Sequence, residues 1–460
     1  MRSGSLVRFV RTPLGMTCAI ALILLVVVDV FWLLTDGTWS FRKARKPPTA
    51  AATSSDPDRI ARQWHDKVAN YIKPTVTAEM GDLGGKYFGQ TPDPAKTRHY
   101  YIAAEPEQWD FMPSGSDVVC GMPVALSLAA NHRAWKARYF QYTDGTFTKR
   151  VPQNARLGIL GPVLRGTVGE YIEVTFLNRT RGGAFSMHPH GVKYDKDSEG
   201  SYHGNAANYL QSGKISGQSE PPLLGRGAAV GYGARFTYVW YCDESSGPLP
   251  SEPSSKGWLY HSHVSSGGEI NLGLEGFIIV TDPKRARPDG TPNDVDREMA
   301  ALFLIFDESG LGDQDDSGAG GPFDSKRWAY LQSIKEAGER YTINGYIYGN
   351  LPGLDMNEGE RVRWYLFGLG SEEDQHTAHW HGLRVIEDGR RRTDVVELLP
   401  ASMKVADMVA DNPGGWLFHC HVEEHMAGGM FARVTVYPRG QPGASREPEK
   451  AFFGLHSTNR

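Results

Sequence analysis

The stretch from Gly415 to Met430 reads Gly-Trp-Leu-Phe-His-Cys-His-Val-Glu-Glu-His-Met-Ala-Gly-Gly-Met and gathers three imidazoles, a thiol and a trailing thioether. Imidazole and thiolate are donors that copper accepts, and cysteine and histidine with a weak axial methionine form a blue-copper electron-transfer site. Cys420, His425 and Met430 supply that set here, with His419 and His421 flanking the cysteine. On a strand, successive residues face opposite sides. Cys420 can therefore face one metal while both of its neighbours face others, which wires an electron acceptor directly to a second metal cluster.

Three more runs extend the inventory. They are His188-Pro189-His190, His261-Ser262-His263 and His376-Thr377-Ala378-His379-Trp380-His381. The four runs hold ten of the 15 histidines, a concentration that isolated core or surface imidazoles do not produce. His65, His99, His132, His203 and His456 stand alone and read as ordinary core or surface residues.

On these motifs the chain resembles the multicopper oxidases, and more narrowly the ceruloplasmin and hephaestin branch. The stretches Tyr100-Tyr101-Ile102, Tyr142-Thr143-Asp144-Gly145-Thr146-Phe147, Leu157-Gly158-Ile159-Leu160-Gly161-Pro162 and Asn344-Gly345-Tyr346-Ile347-Tyr348-Gly349-Asn350 carry the likeness further, over roughly residues 98–437. The resemblance implies an all-β protein of two cupredoxin-like Greek-key β-sandwich domains. It implies a type 1 copper on His376, Cys420 and His425 with Met430 axial, and a type 2 copper on His188 and His379. The type 3 pair falls to His190, His261, His263, His381, His419 and His421, making four coppers per functional unit. Ser262 stands where the first domain would need a cysteine, so one blue copper per chain follows.

The implied reaction takes electrons singly from a reductant at the type 1 copper and reduces dioxygen to water at the three-copper cluster. That reduction needs protons, which carboxylates near the cluster can deliver. Glu423 lies between His421 and His425, where relatives carry a proton-relaying acid. Glu199, in Asp197-Ser198-Glu199-Gly200, is a second candidate, balanced against an exposed turn acid. Glu424 matches an acid that helps hold iron in ceruloplasmin, and Glu372, Glu373 and Asp374 precede His376. Hard carboxylate oxygens suit Fe(II) or Mn(II) better than a neutral phenol, which favours ferroxidase-like metal oxidation. A laccase-like oxidation of phenols or aromatic amines is the alternative. A copper nitrite reductase would lack the type 3 ligands, and a non-catalytic copper-binding protein would not need the full set.

A chain of 460 residues exceeds one compact core and suggests two domains. A net charge of −4 without a basic stripe excludes nucleic acid as an implied partner. Arg2, Arg8 and Arg11 precede an apolar run from Leu14 to Leu34 broken by Asp29, about the length that crosses a bilayer. An uncleaved anchor over residues 1–35 is expected, against a cleaved signal peptide, with the catalytic body on the exoplasmic side. Cys18 falls in that run, and Cys120 and Cys242 either pair or remain free thiols.

Residues 36–97 read as a stalk with a short amphipathic helix carrying Ile60, Trp64, Val68 and Ile72. Tyr171–Phe176, Arg235–Trp240 and Leu274–Val280 read as strands of a first sandwich, residues 98–286. A charged, proline-rich linker follows. Ala301–Phe306 and Phe431–Val436 bound a second sandwich, residues 296–438, before a tail over 439–460. The two blocks are not evident sequence repeats. Ceruloplasmin's three-copper cluster lies between the first and last of six such domains. By that resemblance, three two-domain chains rebuild the ring as a homotrimer, each cluster shared between neighbouring chains.

Overall fold

Strands that are apolar at every position, rather than at alternate ones, are covered on both faces. Phe277–Val280 and Ala301–Phe306 are of this kind, and they decide how the molecule is layered. The computed structural model describes residues 74–443, except 122, 125–127, 129–131, 182, 203–223, 265–267, 309–337 and 442. The expected anchor, the short amphipathic helix and most of the tail lie outside the described residues. Among the described residues no helix is long and apolar enough to cross a membrane.

The first sandwich contains β1 (Thr97–Asp110), β2 (Arg133–Tyr142), β3 (Leu164–Thr167), β4 (Tyr171–Asn178), β5 (His188–Pro189), β6 (Arg235–Tyr241), β7 (Ser255–His261) and β8 (Glu275–Thr281). Its sheets run β2-β1-β4-β6 and β3-β8-β7-β5. Ile102, Val174, Phe236, Tyr260 and Ile278 close the core between them. The second sandwich contains β9 (Arg297–Asp307), β10 (Glu339–Ile343), β11 (Asp355–Asn357), β12 (Arg361–Gly368), β13 (His376–Trp380), β14 (Val385–Glu387), β15 (Arg391–Thr393), β16 (Val395–Leu398), β17 (Met403–Val409), β18 (Gly414–Cys420) and β19 (Phe431–Tyr437). Its sheets run β10-β9-β12-β17-β14-β15 and β11-β19-β18-β13-β16. Two short helices matter below, α1 (Gly268–Leu272) and α2 (Glu423–Ala427).

A third core joins the two sandwiches. Leu259, Phe277 and Ile279 from β7 and β8 meet Leu302, Leu304 and Phe306 from β9 and Phe367 from β12. Phe277 and Phe367 stack with centroids 4.1 Å apart. The outward faces of one sheet from each sandwich thus bury each other, which is why β8 and β9 lack alternation. Arg165 and Glu298, both fully buried, pair across this boundary at 2.5 Å. The second carboxylate oxygen of Glu298 accepts the Tyr365 hydroxyl at 2.6 Å.

The body begins earlier than the expected residue 98. Val76 bridges Val230, Asp82 accepts both the Thr237 N–H (3.0 Å) and its hydroxyl (2.5 Å), and the Gly85 N–H reaches the Thr237 carbonyl at 2.8 Å. This strap covers β6, the edge of its sheet, where free N–H and C=O groups would otherwise invite other strands. Residues 74–96 are therefore packed structure and not stalk.

Glu275 opens β8 directly across from His261 and is fully buried. Neither carboxylate oxygen has a hydrogen-bond partner among the described protein groups. Burial pushes its pKa well above the ordinary carboxylate range, and nearby Lys136 and Arg138 offset only part of this. The folded pKa lies above the unfolded one, so stability present in acid is lost as pH rises through neutrality. Glu275→Met should remove that loss. Melting curves should show the variant ahead of the native protein at pH 7–8 by a few degrees, at ~2–4 °C per kcal/mol, with the gap closing towards pH 5. An equal gap at both pH values would contradict the buried neutral acid.

Candidate metal centres

β18 ends on Cys420, and α2 turns the chain back so that His425 faces the same spot as His376 at the start of β13. The Cys420 Sγ lies 3.6 Å from His425 Nδ1 and 3.9 Å from His376 Nδ1, and the two Nδ1 atoms are 3.1 Å apart. All three side chains are buried. Met430, fully buried, returns beside them, its carbonyl accepting the Cys420 N–H at 3.0 Å. Burial alone would raise the thiol. Hydrogen bonds from His376, His425 and the N–H groups of Thr377 and Val422 outweigh it and bring Cys420 down from 9.0 to about 6. A thiolate at neutral pH between two imidazoles is a soft, anionic, pre-assembled donor set of the kind copper takes.

Four further histidines of the second sandwich gather on the other side of β18. His379 and His419 are directly opposed on β13 and β18. His379 Nδ1 and His381 Nε2 each approach His419 Nε2 at 3.1 Å. His421 packs against the rings of His379 and His419, with centroids 5.1 Å and 5.3 Å away. His379, His381 and His419 by themselves converge closely enough to hold one ion. The His419 Nδ1–H donates to the Cys420 carbonyl at 2.7 Å, which leaves Nε2 as a bare lone pair. Burial, with the charge of neighbouring histidines, lowers His419 to about 4, so it is neutral and ligand-ready at pH 7.

The first sandwich repeats this construction. His188 opposes His261 as His379 opposes His419. The His190 N–H donates to the Leu259 carbonyl as the His381 N–H does to Leu417, at 2.8 Å and 2.9 Å. The His261 Nδ1–H donates to the Ser262 carbonyl at 2.9 Å, and His190 Nε2 meets His261 Nε2 at 3.1 Å. His263 completes the quartet 5.5 Å from His261 and 5.1 Å from His188, centroid to centroid. Burial depresses His190 to about 4 and His261 to about 3, with neighbouring histidines adding to it. The correspondence extends to the thiol site. The Ser186 N–H donates to Ser262 Oγ at 3.1 Å as the Thr377 N–H does to Cys420 Sγ at 3.4 Å. Phe185, fully buried, precedes Ser186 as His376 precedes Thr377. The structure thus holds a repeat that the sequence conceals.

Several acids sit differently from expectation. Asp374 does not belong to a surface acidic patch. It is buried, accepts the N–H groups of Ile305 and Ser371 at 2.8 Å each, and contacts His376 Nε2 at 3.2 Å. It therefore orients His376, and despite burial its bond helps to raise that imidazole. An acid two residues before a candidate ligand was the available signal. Glu372, Glu373, Glu423 and Glu424 are exposed, the last two in the first turn of α2. The Glu199 carboxylate pairs with Lys196, whereas its backbone carbonyl accepts the His188 Nδ1–H at 2.7 Å. Tyr341, absent from sequence reasoning, covers His425 at a centroid distance of 5.2 Å. Cys120 is exposed and Cys242 buried, and the two are not bonded. His99 and His132 are tied to Glu173 and Asp110, as isolated histidines should be.

A family model described as multicopper oxidase matches residues 322–440. Ferroxidase HEPHL1 of Homo sapiens is 35% identical over 357 residues, covering 74% of this chain and 29% of that protein. Hephaestin of Rattus norvegicus is 35% identical over 362 residues, with 74% and 29% covered. Ceruloplasmin of Rattus norvegicus is 33% identical over 360 residues, with 74% and 32% covered. The chain thus spans about three tenths of the length of the curated relatives it matches.

The depressed thiol can be tested without metal. Metal-free protein should gain thiolate ultraviolet absorption with a midpoint near pH 6, lost in Cys420→Ser. Burial raises both Cys120 and Cys242, so neither contributes there. His376→Ala removes one of the hydrogen bonds that lower the thiol and should move the midpoint upward. An unmoved midpoint would dissociate the two side chains.

Proposed function

This chain belongs to the multicopper oxidases of the ceruloplasmin and hephaestin kind, and on that premise we propose that it couples one-electron oxidation of a reductant to four-electron reduction of dioxygen to water. The observation that carries the reading is the thiolate triad of His376, Cys420 and His425, built into the same strand end as His419 and His421. In this reading the triad, together with Met430, would hold the type 1 copper. His188 and His379 hold the type 2 copper, and His190, His261, His263, His381, His419 and His421 hold the type 3 pair. The donor set fits the metal, since the thiol is lowered and His190, His261 and His419 are kept neutral. Bound copper supplies single-electron redox chemistry at the triad and dioxygen reduction at the histidine cluster. The chain supplies the path between them, from Cys420 along two bonded neighbours, and excludes water from the triad by burial.

Metal oxidation is the favoured substrate reading. Glu424 is exposed beside His425, and Glu372 and Glu373 are exposed ahead of His376, so hard oxygen donors lie close in sequence to both proposed type 1 histidines. A relative named as a ferroxidase agrees with this. Glu423, two residues after His421 in the sequence, is the acid proposed to pass protons towards the cluster. The apolar run from Leu14 to Leu34 supports a membrane anchor, and the copper-oxidase reading favours a body on the exoplasmic side.

The eight cluster histidines are proposed to meet between copies. His381 and His421 are exposed. In this reading each quartet is a half-site, and a cyclic homotrimer would set the first sandwich of one copy against the second sandwich of the next.

With copper-loaded protein, an oxygen electrode should record about four reductant equivalents per dioxygen, and Cys420→Ser should abolish both the blue colour and turnover. Glu424→Ala should raise KM for Fe(II) more than for an organic dye. Equal effects would favour phenol or aromatic-amine oxidation, and stoichiometric peroxide release would contradict the cluster. Native mass measurement should give a trimer carrying four coppers per chain. A monomer that binds four coppers and turns over would refute the shared cluster.

A further inference from the structure

The turn Asn344-Gly345-Tyr346-Ile347-Tyr348-Gly349-Asn350, between β10 and β11, contains an unusual backbone. Tyr348 sits at φ 52°, in the left-handed region. Glycine and asparagine adopt that region readily, whereas a bulky side chain there costs on the order of 1–3 kcal/mol and persists only where its surroundings fix it. Those surroundings are two-sided.

On one side Tyr348 grips the loop between His425 and Met430. Its N–H donates to the Gly429 carbonyl at 2.8 Å, and its hydroxyl donates to the Ala427 carbonyl at 3.1 Å. Its ring lies so close over Gly429 that a Cβ there would come within 2.7 Å of it, and it meets Phe431 edge-on at 5.7 Å. Glycine at 429, itself at φ 106°, is the residue that admits this contact. The same loop closes on the triad through the Met430 N–H to the His425 carbonyl and the Cys420 N–H to the Met430 carbonyl, both 3.0 Å. On the other side the Tyr348 carbonyl accepts the Val118 N–H at 3.2 Å. Val118 belongs to the segment that leaves the first sandwich after β1. Buried Asp117 stiffens that segment by accepting the N–H groups of Val119 and Cys120 at 2.9 Å each.

We propose that Tyr348 is a positioning residue that sets where Met430 stands relative to the thiolate triad and ties that placement to the first sandwich. This rests on the reading of the triad as a type 1 copper site. The axial position of such a site is weak and long, and it tunes the metal's electronic character. A small displacement of the loop should therefore change the copper spectrum and potential without abolishing binding.

The test uses copper-loaded full-length chain. Tyr348→Phe removes only the hydroxyl bond to Ala427, and Tyr348→Gly keeps the left-handed turn but removes the ring. The glycine variant should retain stoichiometric copper at the triad with an altered ratio of its visible bands, an altered electron paramagnetic resonance splitting and a shifted potential. Tyr348→Phe should restore most of the native spectrum while releasing copper to a chelator up to about fivefold faster, as one lost hydrogen bond predicts. Val118→Pro deletes the donor from the first sandwich and should move the spectrum in the same direction as the glycine variant. A lowered melting temperature with an unchanged spectrum in both Tyr348→Gly and Val118→Pro would reduce the residue to a structural role and overturn the proposal. Native protein without a blue band would instead remove the type 1 reading beneath it.

Discussion

Everything at the proposed copper sites depends on the antiparallel register of two short strand pairs. In the second sandwich Ala378 opposes Cys420 and His379 opposes His419. Because side chains alternate, His379 and His419 share one face and Cys420 takes the other. A one-residue slip would exchange thiol for imidazole on both faces at once. Large apolar side chains hold that register. Trp380 and Phe418 are fully buried on the same strands, and they pack on each other and on Trp364 with centroids 5.0–5.5 Å apart. Such pairs contribute roughly 0.5–1.5 kcal/mol each beyond their buried area. The thiol thus sits inside the hydrophobic core, and its ionisation is made possible by imidazole and backbone N–H donors.

The joint between the sandwiches is the second constraint. It contains a fully buried Arg165–Glu298 pair within an apolar interface. Such a pair is weak evidence for stability, yet breaking it by removing one partner typically costs 3–5 kcal/mol. The pair therefore acts against other orientations of the two sheets. Arg363 adds to the same boundary, reaching Ser254 and Ser255 of the first sandwich and Asp407 of the second.

Much of this was legible in the sequence, because metal-ligand spacing and strand alternation are local properties. His376, Cys420 and His425 converge, as do His379, His381 and His419, from motifs that are far apart in the sequence. What escaped depends on distant partners. Asp374 looked like part of an acidic run, but it is buried and accepts the N–H of Ile305, in a strand about seventy residues earlier. Glu199 was read for its carboxylate, and only the folded turn shows its carbonyl holding His188. The strap over residues 74–96 lacks apolar periodicity, since it is held by backbone and carboxylate hydrogen bonds to an edge strand.

The internal repeat escaped for a more instructive reason. The two sandwiches keep the same backbone hydrogen bonds at corresponding positions while the side chains that would advertise the repeat have changed. Phe185 stands where the second sandwich has His376, and Ser262 where it has Cys420. Yet Ser186 still donates its N–H to Ser262 Oγ and still accepts the His263 N–H, as Thr377 does for Cys420 and His421. The frame evidently survives loss of the thiol because it also fixes His261 and His263, whose placement depends on backbone register and not on sulfur. A fully buried phenyl ring fills the space of an imidazole without leaving an unsatisfied polar nitrogen in the core. The first sandwich thereby presents histidines alone at this position, while the second presents both the thiol and the histidines, and in the proposed reading this would separate electron entry from cluster support within a single repeated architecture.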